Sequence, residues 1–272
     1  MSTHFSWISV FFICCLFFFQ SGDLYGQSPY EISVKRDVPL LSVGIGGRIA
    51  GLVIKNNTEP LTALEVAMLR PEDISNFDRN AIFNNSRTAG NVSDVLIYSA
   101  HAMPLLFLSN KKSRSGALEI GVIGLEVLFL NSATTTLTKT LVKRTRPTVY
   151  NPLTDTDLES ISSTRLSFFS GHTSGTAAMF FFSGKVFADH FPDSKWKPVV
   201  WSAAAIVPAV AAYTRVKSGK HFPTDVITGY TVGALFGILV PHFHKKRIKD
   251  KDKRIGFSVF SISNGLGITM QW

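Results

Sequence analysis

Apolar positions in this chain fall in blocks of helical length, separated by short polar stretches. Phe5 to Phe19 is apolar throughout and is followed by Gln20, Ser21, Gly22 and Asp23. That length suits the apolar region of an export signal and is short for a membrane span, so residues 1–26 are expected to be a signal peptide or signal anchor. Val38 to Ile54 is also apolar but is interrupted by Gly44, Gly46, Gly47, Arg48 and Gly51. Glycines lower helix propensity, so this piece is ambiguous between a span, a loosely packed helix and an interfacial segment; an even count of crossings between an export segment and the Val95 block would make it a packed helix that does not fully cross. Residues 56–91, with Pro60, Pro71, Asp73 and Asp78, predict a surface connection containing short helices.

Five firmer blocks follow: Val95–Leu108, Ala117–Leu137, Thr173–Phe187, Val199–Tyr213 and Val226–Val240. At 1.5 Å of rise per residue they reach roughly 21 to 31 Å, marginal to sufficient for a bilayer. Polar residues inside them (His101, Glu119, Glu126, Lys185) keep open the alternative of buried helices in a soluble domain. Glu119 and Glu126 share a helix face and can point into a bundle interior. The last block carries Gly229, Gly233 and Gly237, a ridge of small residues that permits close approach of a second helix. Near the C-terminus the period changes to two: Phe257 and Val259, then Leu266, Ile268, Met270 and Trp272, alternate around Asn264-Gly265, which predicts a β-hairpin. The expected fold class is all-α, a bundle of about five to six core helices, partly or wholly membrane-embedded, with a C-terminal β-hairpin. The expected segments are 1–26, an N-terminal segment 27–92, a helical core 93–244, and a basic linker with hairpin 245–272.

Composition changes this picture in few places. A hydrophobic share of 45% over 272 residues excludes general disorder. The only cysteines, Cys14 and Cys15, are adjacent, which excludes a disulfide framework or a cysteine-based zinc site. Lys and Arg total 28 against 19 Asp and Glu, a net +9, and the run Lys245 to Arg254 supplies seven cations against Asp250 and Asp252. No aromatic residue interrupts that run as a nucleic-acid groove would require, so it reads as the solvated flank of a membrane helix and no nucleic-acid partner is expected. His242 and His244 lie beside it and are assigned to the same flank; no metal and no cofactor are expected. A mean hydropathy of +0.18 is low for a chain lying entirely in a membrane.

Three polar clusters sit at the ends of the apolar blocks. Lys139 and Arg146-Pro147 are expected on one helix face about 10 Å apart, with Pro147 marking the helix end. Phe169-Ser170-Gly171-His172 precedes a helix, where free N–H groups and the helix dipole favour an anion and Gly171 allows close approach. Thr214-Arg215, His221 and Asp225 surround another helix entry. Spacing lets the carboxylate accept from one imidazole nitrogen while the other stays nucleophilic, and Arg215 offers a planar fork to phosphate oxygens. Each cluster taken singly is also explained by helix capping or a surface ion pair.

Taken in order, K-x6-RP, SGH and R-x5-H-x3-D resemble the tripartite signature of the type 2 phosphatidic acid phosphatase and vanadium haloperoxidase superfamily, over Lys139 to Asp225. Phe169 stands where that signature has proline, and Thr214 where it has serine; neither change removes a charged or acid–base group. The resemblance implies that His221 attacks phosphorus, Asp225 orients it, and His172 protonates the leaving oxygen and then activates water. It further implies that Lys139, Arg146, Arg215, Ser170 and Gly171 hold the phosphate oxygens. The expected function is hydrolysis of a lipid phosphate or pyrophosphate through a phosphohistidine, with the membrane and the lipid substrate as partners. The alternative is a soluble exported acid phosphatase; a vanadium haloperoxidase and a non-catalytic lipid-binding protein are weaker readings. Because Lys111, Lys112, Arg114, Lys185, Lys195, Lys197 and the basic run fall at the opposite helix ends, the positive-inside rule places the catalytic side outside the cytoplasm. The acidic loop Thr148–Phe168, with Asp155, Asp157 and Glu159, is expected at the entrance.

Overall fold

The computed structural model describes residues 28–151, 164–246, 256–262 and 265–271. The expected signal segment, most of the acidic loop and most of the basic run lie outside the described residues. Among the described residues six long helices build the molecule: α1 Val34–Asn56, α2 Arg87–Ala102, α3 Ala117–Val142, α4 Gly171–His190, α5 Lys197–Lys217 and α6 Pro223–His244. Among the described residues the apolar blocks fall within these helices, which run on into polar turns, except that Val95–Leu108 continues past the end of α2 into the tighter turn Met103–Leu108. The boundary expected at 92/93 therefore falls inside α2, whose first turns carry Ser93 and Asp94.

Glycines decide two of the helix contacts. A Cβ at Gly229, Gly233 or Gly237 would lie 2.6, 2.1 or 2.4 Å from the carbonyl oxygens of Ser170, Ser174 and Ala178, so α6 runs parallel to α4 with its backbone against that of α4. The glycines of α1 do the same against α3. A Cβ at Gly44 would meet Phe129 at 2.9 Å, and one at Gly51 would meet Thr136 at 2.8 Å. Here the structure corrects the expectation for Val38–Ile54: it belongs to one continuous helix of 23 residues, long and apolar enough to cross a membrane. The glycines that lower its propensity are its packing face.

Among the described residues five stretches have that length and composition: Val34–Asn56, Arg87–Leu108, Ala117–Tyr150, Lys197–Lys217 and Pro223–His244. Their outward positions are apolar, with Val38, Val43, Ile49, Ile206, Ile227 and Leu235 exposed, while α4 is the most buried of the six. This is the architecture of a multi-pass membrane protein. Consecutive helices alternate in direction, so the ends of α1, α3 and α5 lie with the starts of α2, α4 and α6. At the far end Tyr30, before α1, bridges to Lys245, after α6.

That far end holds a second correction. His244 is fully buried rather than solvated: its Nε2 is 2.9 Å from Glu126 Oε2 and 3.2 Å from Asp37 Oδ1. Arg36 Nε donates to the same Asp37 oxygen at 2.6 Å. The network ties α1, α3 and α6 together, and Glu126 does face the bundle interior. The C-terminal strands β1 Gly256–Ile262 and β2 Gly265–Gln271 are laid antiparallel, Val259 opposite Ile268. Their main contacts are with each other, and two strands alone are marginal in water, so the hairpin is not supported as a part of this fold.

Candidate active site

The helix ends α1, α3 and α5 and the starts of α2, α4 and α6 converge around one polar cluster. Lys139 and Arg146 arrive there by a different route from the one expected. Helix α3 stops at Val142, and Lys143, at φ 51°, closes it by donating to Lys139 O at 3.0 Å. Arg146 is therefore in extended backbone, its N–H donating to Thr164 O at 2.8 Å, while Ser167 N donates to Arg144 O at 2.9 Å. The two cations are on a helix and on a strap beside it, not on one helical face. Lys139 Nζ donates to Leu166 O at 2.6 Å and Ser167 O at 3.3 Å.

Asp225 is the most heavily bonded group of the cluster. Its Oδ1 accepts from Arg144 at 2.6 Å; its Oδ2 accepts from Ser167 Oγ at 2.5 Å and from Phe222 N at 2.9 Å. Arg144 also reaches Thr224 at 2.7 Å and Asp78 at 2.8 Å, and lies over the Phe222 ring. His221 Nδ1 is 3.6 Å from Asp225 Oδ2, within ion-pair reach but longer than a hydrogen bond. Apo sites often carry such long contacts, which tighten when substrate binds.

His221 lies in the short connection between α5 and α6 and is 1% exposed. Gly219, at φ +69°, makes that connection possible: a Cβ there would sit 2.1 Å from Asn84 O. Burial, and then the positive charges of Lys139, Arg146 and Arg215, push the His221 pKa well below the usual histidine value. Its ring is consequently neutral at ordinary pH, with a free electron pair to offer.

His172, in the first turn of α4, pairs through Nε2 with Asp94 Oδ1 at 2.9 Å. Asp94 also faces Arg215 at 3.6 Å, and Arg215 donates to Ser93 Oγ at 3.1 Å. Ser170 is fully buried and caps α4, accepting from Thr173 N and Thr173 Oγ1 at 3.4 and 2.9 Å. A cavity of about 380 Å³ opens beside these groups, lined by Lys139, Arg146, Gly171 and His172 from the expected set. Phe169 is buried and does not line it. His221, Arg215 and Asp225 are buried and are not among its lining residues.

Sequence reasoning missed Asp94, Arg144, Ser167 and Asp78. Asp94 precedes the apolar block by one residue, Arg144 lies inside KRTRP two positions before the arginine chosen, and Ser167 lies three before Ser170. Asp78, in a polar connection, gave no signal.

Residues 121–249 match the PAP2 superfamily. The lipid A 4'-phosphatase of Porphyromonas gingivalis is 31% identical over 139 residues, 50% of this chain and 56% of that protein. Phosphatidylglycerophosphatase B of Bacillus subtilis is 31% identical over 137 residues, 50% of this chain and 61% of that protein. The chain thus spans little more than half the length of either relative. A crystal structure of a transmembrane PAP2-type phosphatidylglycerolphosphate phosphatase from Bacillus subtilis is 20% identical, aligned over 74% of this chain and 96% of that one, with a TM-score of 0.44.

Proposed function

We propose that this chain, whose residues 121–249 belong to the PAP2 superfamily, hydrolyses a phosphomonoester or pyrophosphate carried on a lipid, through a phosphohistidine. The observation that carries the reading is a fully buried His221 within ion-pair reach of Asp225, with the charges of Lys139, Arg146 and Arg215 acting on it. Phosphoryl transfer asks for positioning and for neutralisation of charge spread over three equatorial oxygens, and little else. The free nitrogen of His221 forms the N–P bond as the ester P–O bond breaks. Burial and then Arg215 lower the His172 pKa to about 4; the bound phosphate's negative charge recharges the ring, which then gives its proton to the departing oxygen while Asp94 holds it in place. Water then attacks the phosphohistidine, its proton passing to His172, and phosphate leaves. Asp225, fixed by Arg144, Ser167 and Phe222 N–H, stabilises the charge that grows on the His221 ring. The Gly171 N–H at the start of α4 adds a dipole end to the oxygen cradle, while Ser170 contributes by capping that helix.

Support for a lipid rather than a soluble ester comes from the apolar outward faces of the helices and from the two named lipid phosphatases. The test is a phosphate-release panel on purified protein in detergent, with lipid and soluble phosphoesters. Lipid phosphomonoesters should be preferred, vanadate should inhibit, and an acid-labile, base-stable phosphoenzyme should be trapped. Release that is indifferent to vanadate and passes through no such intermediate would end the reading.

The catalytic end is proposed to face away from the cytoplasm. Lys111, Lys112, Arg114, Lys195, Lys197, Lys245 and Lys246 gather at the far end. With α1 counted as a crossing, residues 28–33 belong to that same cytoplasmic end. The layout with no crossing between the export segment and α2 therefore no longer applies. In a chain with Cys14 and Cys15 replaced by serine, a cysteine introduced as Glu59→Cys should react with an impermeant maleimide on intact cells, and one introduced as Lys112→Cys should not. The reverse pattern would invert the layout.

A further inference from the structure

The cavity beside the catalytic cluster has a wall that the chemistry above does not use. Arg48 and Lys55 of α1 line it together with Lys139, Arg146 and His172. Neither belongs to an ion pair among the described residues; Arg48 bonds the Thr136 hydroxyl, and Lys55 adds its charge to the field at Lys139. Arg48 is seven residues, two turns, earlier in α1 than Lys55. It therefore lies on the same face about 10 Å deeper along the helix, toward the bundle interior. An arginine inside a membrane helix is expensive and is retained where something pairs with it. The surrounding wall sets Asn131 and Thr135 of α3 and His101 of α2 among the apolar Ile97 and Leu128, so polar groups stand at a depth where the outward helix faces are apolar.

Resting on the phosphatase reading, we infer that Arg48 and Lys55 form a second anion subsite, which selects lipids bearing another phosphate between the scissile phosphomonoester and the acyl chains. The reacting phosphoryl group occupies Lys139, Arg146 and Arg215, near the open end of the bundle. Acyl chains lie toward the membrane interior. An internal phosphate on the headgroup between them passes Arg48 and meets a guanidinium able to bind it through two parallel hydrogen bonds. A lipid with one phosphate leaves that cation unpaired and gains nothing from it. Arg48 is thus a specificity-determining residue, and α1, outside the matched residues 121–249, is the element that sets substrate choice.

The experiment compares kcat/KM for phosphatidylglycerophosphate, with a terminal monoester and an internal phosphodiester, and for phosphatidate, in matched acyl chains and mixed micelles. Wild type should prefer the former. Arg48→Gln should cut its kcat/KM by roughly tenfold or more, chiefly through KM, and leave phosphatidate within about twofold, as expected for a lost charge-assisted hydrogen bond. Arg48→Lys should recover part of the preference. Thr136→Val, which removes the Arg48 partner without touching the charge, should keep it and so separates selectivity from packing. Equal losses on both lipids in Arg48→Gln, or no preference in wild type, would overturn the subsite while leaving the phosphatase intact. If wild type hydrolyses neither lipid, the subsite as drawn is overturned, while the phosphatase reading is decided separately by the wider panel above.

Discussion

His221→Ala should lower phosphate release by at least about a thousandfold and leave no trapped phosphoenzyme, because the proposed mechanism routes the phosphoryl group through that ring. His172→Ala should behave differently. Loss of the proton donor should cost on the order of 10² to 10⁴ on a lipid alkoxide but much less on an aryl phosphate, whose leaving group needs no proton. Rapid-quench labelling with both substrate types separates the two roles. The pH profile gives an independent arm. A His221 pKa held below the usual histidine value keeps the ring neutral and nucleophilic as pH falls through 6.5. Once the ionisation of the substrate phosphate is divided out, the acid limb of kcat/KM should therefore lie clearly below pH 6.5. A limb near 6.5 to 7 would mean that His221 sits in an ordinary aqueous environment and that the three cations do not bear on it.

The residues that cluster at one end of the bundle, Lys139, Arg146, Ser170, His172, Arg215, His221 and Asp225, could be picked out because their spacing survives in sequence. Their supporting groups could not, and the reason is local. Apolar blocks mark where helices cross the hydrophobic layer, whereas the chemistry sits in the polar turns beyond. Reading a helix from Val95 excluded Asp94, which on α2 reaches both His172 and Arg215. Carrying α3 on to Pro147 put Lys139 and Arg146 on one face and hid the turn at Lys143. That turn frees Arg144 to meet Asp225 and Asp78. Asp78 lies 147 positions before Asp225 in the numbering, and no pattern links the two. His244 misled for the opposite reason: flanking lysines suggested solvent, yet its partners Glu126 and Asp37 come from α3 and α1. Glycine had two meanings that composition does not separate. In Val38–Ile54 it looked like weakness and proved to be a contact face, as it is in α6.

That contact face carries the second large effect. Gly233→Val should prevent α6 from seating on α4 and cause loss of folded protein. The Cβ alone would lie 2.1 Å from Ser174 O and 2.9 Å from the Ala177 Cβ. Relief cannot come from a rotamer change, because the opposing atoms are backbone and a side chain with no torsion to turn. The helices must part by roughly an ångström or more, and the two methyl groups of valine widen the gap further. Overpacking in a closed core typically costs about 1–3 kcal/mol. Here the separation also spreads to the Gly229 and Gly237 contacts, so the cost should reach or exceed the top of that range. Function is exposed to the same displacement, since α4 begins at Gly171 and His172 while the first turn of α6 holds Asp225. Ser170 N donates to Asp225 O at 3.0 Å across that seam, and opening it pulls the proton donor away from the nucleophile's carboxylate. Gly121→Ala is the matched control, because a Cβ there meets nothing within 4 Å; the higher helix propensity of alanine should leave stability equal or slightly raised. Thermal unfolding in detergent, followed by size-exclusion yield, reads both variants. A folded Gly233→Val protein with wild-type melting would show that α6 and α4 do not touch along their backbones.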